Sequence, residues 1–166
     1  MPEIETGRLV LDRFTTADAP DVFAAITPAV TRWMTWEPPT WAEFEAHAAR
    51  LAAADPRAGA NFVIRLRDTG RCLGITAAER LADDLPELGI WLRADAHGQG
   101  FGLEAARALL RWASAASGAA GFVWPVAVEN AASRRIAERL GGEIVAERPG
   151  AKYDAVIYRI PAAQGP

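Results

Sequence analysis

The sequence predicts a mixed α/β fold built on a single sheet. Short runs of alternating apolar and polar residues recur along the chain, the clearest being RLVLDRF at 8–14. Stretches with helical periodicity and explicit start and stop signals lie between them. One such helix joins the apolar runs at 88–92 and 122–128, and a helical crossover makes those two strands parallel. The other strands suit antiparallel pairing.

Each element has its own warrant. In 8–14, Leu9, Leu11 and Arg13 share one face and Val10 and Asp12 the other, which reads as a strand. Thr15 to Asp18 offers a helix start, with Thr16 as N-cap and Asp18 in the first turn. Val22, Phe23 and Ile26 form the apolar stripe of a short helix, and Pro28 ends it. The segment 29–41 holds three of the six tryptophans. Pro38 and Pro39 make it a loop or a broken helical turn. Thr40 caps a helix over 41–54, with Glu43 completing a capping box.

Residues 62–66 and 71–79 read as two strands joined by the hairpin signal Asp68-Thr69-Gly70. A turn over 81–86 leads to the strand at 88–92. The helix beginning at Leu103 places Ala106, Leu109, Leu110 and Ala113 with it on one side, and Gly118 and Gly121 mark its end. In the strand 122–128, Pro125 cannot donate to a ladder, so it marks an edge, a bulge or a splay. Asn130 caps a helix to Leu140, with Gly141 as its stop. Two strands, 142–148 and 153–160, close the chain around a Pro149-Gly150 turn. The count is about seven strands and about four helices.

Composition bounds the function. A chain of 166 residues suits one domain, here 1–166, and half of its residues are apolar. A net charge of −3 gives no global attraction to nucleic acid or to an anionic membrane. One cysteine, Cys72, excludes an internal disulfide framework and a cysteine-rich zinc site. No metal-ligand cluster stands out. The N-terminus has no signal-peptide pattern and no apolar run reaches membrane-spanning length, so the expected location is cytoplasmic.

The stretch ELGIWLRADAHGQGFGLEAARALLRWA, 87–113, organises the rest. A strand feeds a loop in which Gly98, Gly100 and Gly102 alternate, and a helix follows at once. Bare backbone lets successive N–H groups face one anion, and the helix N-terminus adds partial positive charge. The loop lacks the Lys-Ser/Thr of a P-loop and the spacing of a dinucleotide fingerprint. Its plain alternative is a tight turn that starts a helix.

The loop HGQGFG resembles the pyrophosphate loop of the GCN5-related N-acetyltransferase superfamily, and four motifs in order, ETGRLVLDRFTTADAPDVF, ELGIWL, GFGLEA and NAASRRIAERLGG, resemble its RimJ/RimL-like branch in particular. The closing YDAVIYRI is similar to that branch's last strand, so the resemblance covers nearly the whole chain. It implies a mostly antiparallel sheet parted in the middle, with acetyl-CoA as co-substrate. His97 stands where the family's loop usually has Gln or Arg. By resemblance, the pyrophosphate lies on the backbone of His97, Gly98, Gln99, Gly100, Phe101, Gly102 and Leu103, and the pantetheine arm on Ile90, Trp91 and Leu92, with Asn130 nearby.

Acyl transfer to an amine needs a held cofactor, a neutral amine and a protonated leaving thiolate. Many members have a tyrosine where this chain has Ala137, which makes Ser133 the general-acid candidate; the plain alternative is a helix-start serine bonded to local backbone. Glu87 shares a strand face with Gly89 and Trp91 and is the candidate base, acting through water; a solvated strand-end carboxylate is its alternative. Trp33, Trp36 and Trp41 fall where the family builds the acceptor wall, or else pack a core. Tyr153 and Asp154 lie where an amine would enter, and Glu104 suits the helix dipole. The expected activity is direct acetyl transfer to a small-molecule amine or a protein N-terminal amine. The rival is a non-catalytic acyl-CoA-binding domain on the same fold. Exposed edge strands permit a homodimer.

Overall fold

The computed structural model describes residues 3–165 as one eight-stranded sheet flanked by five helices. In chain order these are β1 (Ile4–Glu5), β2 (Leu9–Arg13), α1 (Ala19–Ala25), α2 (Pro28–Thr31), α3 (Trp41–Ala53), β3 (Gly59–Leu66), β4 (Cys72–Glu79), β5 (Glu87–Leu92), α4 (Phe101–Ser117), β6 (Gly121–Ala127), α5 (Ala131–Arg139), β7 (Glu143–Arg148) and β8 (Ala155–Pro161). The sheet order is β1-β2-β3-β4-β5-β6-β8-β7. All pairs are antiparallel except β5 with β6. The mixed, mostly antiparallel fold is the one the sequence predicts.

The alternation in each strand sorts side chains onto two faces. Leu9, Phe62, Ile64 and Leu88 meet Ala105, Ala106, Leu109 and Ala113 of α4 in the larger core. Val63, Cys72 and Ile75, on the other face, pack with Phe14, Val22 of α1 and Phe44 of α3. Trp91 joins this second cluster at its margin.

Local differences from the expectation have local causes. β1 leaves no signal in the sequence, because two residues carry no periodicity; it pairs Ile4 with Leu11. Thr15, not Thr16, heads the first helical turn, where its backbone N–H and hydroxyl donate to Asp18 at 2.9 Å. Pro28 opens the short α2 at a position that needs no N–H, rather than only closing α1. α4 starts at Phe101, two residues early, so Gly102 belongs to the helix. Leu103 is half-buried and lines a cavity instead of the core.

Two features of the sheet shape its centre. Gly74 of β4 has φ +152°, and a Cβ there would lie 2.1 Å from the Trp91 carbonyl oxygen. Glycine therefore lets β4 and β5 approach closely. β5 and β6 are joined at one position, Glu87 opposite Val123, and then part. The Val123 N–H donates to the Pro86 carbonyl at 2.9 Å. The next donor on that edge of β6 falls two residues on, and it is Pro125, which has no N–H. The ladder therefore stops where the proline stands, while Pro125 keeps its place in β6 opposite Ile157 of β8.

At the far edge, β7 is exposed along its whole length, with Ile144 and Val145 47% and 56% exposed. Among the described residues no helix is long and apolar enough to cross a membrane, and no cluster of His, Cys, Asp and Glu has the makings of a metal site.

Candidate functional site

The parted strands open into a cavity of about 710 Å³, a size that suits a cofactor or small ligand. Its floor is β5. The Arg93 N–H donates to the Leu73 carbonyl and the Thr76 hydroxyl to the Gly89 carbonyl, so those groups turn toward β4. By alternation the amide edges of Ile90 and Leu92 face the gap. Backbone polar groups there need partners that β6 does not supply. His97 provides one, its Nε2 lying 2.8 Å from the Leu92 carbonyl oxygen. Ile90, Trp91 and Leu92 all line the cavity.

At the end of β5 the glycine loop closes the cavity. Gly98 and Gly100 have φ of +72° and +80°, values that only glycine adopts without strain. A Cβ on Gly98 would meet nothing within 4 Å. The loop and the first turn of α4 thus present bare N–H groups at a helix N-terminus, an anion site by geometry and dipole. His97, Gly98, Gly100, Phe101, Gly102 and Leu103 line the cavity. Gln99 does not: its side-chain amide donates to the Asp95 carbonyl. Arg135 and Arg139 of α5 add positive charge to the wall.

The loop is braced from behind. Glu104 accepts the Thr6 hydroxyl at 2.6 Å, the Arg8 N–H at 2.9 Å and the Arg8 Nε at 2.7 Å. Arg8 also donates to the Gln99 carbonyl at 2.9 Å and lies 4.4 Å over the Phe101 ring. Burial pushes the Glu104 carboxyl up, but the bonds from Thr6 and Arg8 outweigh it and hold it low. The sequence assigned Glu104 to the helix dipole; Arg8 and Thr6 give it a second task, and nothing in local spacing pointed to them.

Asn130 and Ser133 stand on the opposite wall, at the start of α5. The Asn130 Oδ1 accepts the Ser133 N–H at 3.2 Å, the expected N-cap. The Ser133 Oγ accepts the indole N–H of the fully buried Trp124 at 3.0 Å. That bond occupies an oxygen lone pair and leaves the hydroxyl hydrogen to point elsewhere. In the sequence Trp124 is one residue of an apolar strand; its pairing with Ser133 depends on how α5 crosses β6. Tyr158, by contrast, is tied up in the core, donating to Glu138 and accepting from Arg134.

Glu87 lines the cavity at the point where β5 and β6 last touch. Burial raises its carboxyl above the ordinary range; Arg80, at 3.0 Å, and Arg148 pull it down, and Glu79 pushes it up. Beyond Glu87 on the same face, a Cβ on Gly89 would meet nothing within 4 Å, so the floor is open. Trp33, Met34, Tyr153 and Arg148 line the same cavity, with Arg148 near enough to Glu87 and Tyr153 for its charge to act on both. Burial pushes the Tyr153 hydroxyl up, against the pull of Arg148.

The other predicted acceptor residues lie outside the lining. Trp36 packs edge-on against Trp91 with centroids 6.5 Å apart, and so supports the wall from behind. Trp41 packs on Phe23 and Phe44. Asp154 accepts the Gly150 N–H at 3.3 Å and so shapes the β7–β8 loop. Lys152 ties that loop to the tryptophan-rich one, donating to the Thr31 and Trp36 carbonyls and pairing with Glu37.

Known proteins share this architecture. The family model described as the acetyltransferase (GNAT) domain matches residues 8–143. None of the curated proteins matches. Among solved structures, a GNAT-family acetyltransferase from Bacillus anthracis superposes with a TM-score of 0.84 at 18% identity, over 96% of this chain and 98% of that one. RimL, a ribosomal alpha-N-protein acetyltransferase, gives 0.82 at 18% identity, over 97% and 95%. An acetyltransferase from Agrobacterium tumefaciens gives 0.78 at 26% identity, over 96% and 94%.

Proposed function

The chain belongs to the GNAT acetyltransferase family, and from that premise we propose that it is one catalytic domain that moves an acetyl group from acetyl-CoA to a primary amine. The family uses acetyl-CoA and acts on amine acceptors. The observation that carries the reading for this chain is the continuity of one cavity from the glycine loop, past the open edge of β5, to Glu87 and Gly89. A long cofactor with an anionic head and an amide-bearing arm fits that shape. The loop amides from Gly98 to Leu103 hold the pyrophosphate, with Arg135 and Arg139 adding charge. The amide edges of Ile90 and Leu92 pair with the pantetheine arm.

At the reacting centre, Glu87 accepts the amine proton through water as the new C–N bond forms. Its raised carboxyl makes it a better base than an exposed one. The Ser133 hydroxyl donates a hydrogen bond to the departing sulfur as the C–S bond breaks and the thiolate leaves, its proton coming from solvent, while the Trp124 indole donates to the hydroxyl oxygen. Cys72 takes no covalent role: it is 5% exposed and burial pushes its thiol up. A thiol held neutral is a poor nucleophile, which favours direct transfer.

The RimJ/RimL-like sequence motifs and the fold shared with RimL support a protein N-terminal amine as one acceptor. The aromatic wall of Trp33 and Trp91 supports a small amine as the other. Steady-state assays with acetyl-CoA and both acceptor types test the reading. Turnover on either supports it. Binding of acetyl-CoA without turnover on any amine replaces it with a non-catalytic acyl-CoA-binding domain.

A further inference from the structure

The acceptor end of the cavity carries a guanidinium that the transfer reaction alone does not require. Arg148 is the last residue of β7, opposite Ala155, and it lines the cavity with Pro149, Gly150 and Tyr153. Among the described residues it makes no ion pair and no side-chain hydrogen bond. The neighbouring cations are already engaged: Lys152 by Glu37 and two carbonyls, Arg80 by Glu87 and Asp83. The field of Arg148 reaches both Glu87 and Tyr153. One end of one cavity thus offers a carboxylate for an amine, an unengaged guanidinium for an anion, and an apolar wall at Trp33, Met34 and Trp91. A purely cationic amine is attracted by Glu87 but repelled by Arg148. A molecule with an amine and a carboxylate side by side satisfies both.

We propose that the acceptor is a free α-amino acid with an apolar or aromatic side chain, and that Arg148 binds its carboxylate. This rests on the transferase reading above. A guanidinium matches a carboxylate with two parallel N–H donors. Glu87 takes the proton from the neighbouring amine, and the open space over Gly89 admits the α-carbon. A peptide N-terminus lacks this carboxylate, so Arg148 discriminates against it.

The test compares kcat/KM for L-tryptophan, L-tryptophanamide, tryptamine and a tryptophan-led peptide, with L-phenylalanine and its amide as a second series. The amide has the more weakly basic amine, so more of it is neutral at a given pH, and intrinsic reactivity favours it over the acid. A parent preference for the acid of about tenfold or more is expected, the size of a charged hydrogen bond at a partly exposed site. In Arg148→Gln that preference falls to about one through a higher KM for the acid, and Arg148→Lys recovers part of it. Equal or better use of the amide, the amine or the peptide by the parent overturns the proposal. So does a preference that survives Arg148→Gln, or acetyl-CoA binding with no acetylation of any amino acid in either series. Failure of the parent to bind acetyl-CoA overturns the transferase reading itself.

Discussion

In the proposed reaction Ser133 and Glu87 carry opposite tasks, and their surroundings differ. Ser133 receives a hydrogen bond from a buried indole, which leaves its own hydrogen free to donate elsewhere. Ser133→Ala should lower kcat by about ten- to a hundredfold with little change in acetyl-CoA affinity. Trp124→Phe keeps the ring in the core and removes the donor; a several-fold loss in kcat, smaller than that of Ser133→Ala, is expected in the same assay. Glu87 must be ionised to accept a proton, and burial raises its carboxyl. The acid limb of the kcat/KM–pH profile should therefore lie above the ordinary carboxylate range. Arg80→Gln removes the cation that stabilises the ionised form, so that limb moves to higher pH; a limb that stays or moves down contradicts the assignment. At this scale the sequence was legible where local rules decide, as in the Asn130 cap and the Thr40–Glu43 capping box. Trp124, Arg8 and Arg148 were not, because their partners come from distant strands and helices.

The elements that form the site are held by close contacts rather than by propensity. β5 is pinned to β4 through Gly74, and the glycine loop is braced by Arg8, Thr6 and Glu104. Gly74→Ala forces a Cβ against the Trp91 carbonyl and should cost about 2–3 kcal/mol in denaturant unfolding. Arg8→Ala leaves the core intact but frees the loop; a several-fold weaker acetyl-CoA affinity with a small change in unfolding midpoint is expected. The reverse pattern would make the brace structural only. Strand and helix positions were readable from alternation and caps, since these depend on neighbours in sequence. β1 was too short to show a period. Pro125 announced an interruption, but its choice of splay over edge came from strand order: β6 pairs fully with β8, and the missing donor faces β5.

Across the whole molecule, charge is distributed against its net sign. The chain carries −3 overall, yet Arg135, Arg139 and Arg148 line the cavity with Glu87 as its acidic residue. Local field, not net charge, sets the attraction for an anionic cofactor. Acetyl-CoA affinity should weaken as salt rises, and the double variant Arg135→Gln/Arg139→Gln should flatten that dependence. Fold and glycine loop follow from patterns along the chain; the far end of the cavity depends on loops that meet only in the folded sheet. The most direct test of the account is a calorimetric titration of the parent with acetyl-CoA, beside a Gly100→Trp variant whose circular dichroism matches the parent. Saturable binding in the micromolar range, lost in the variant, is the predicted result. No binding by the folded parent would contradict it, leaving the glycine loop as a turn that starts a helix.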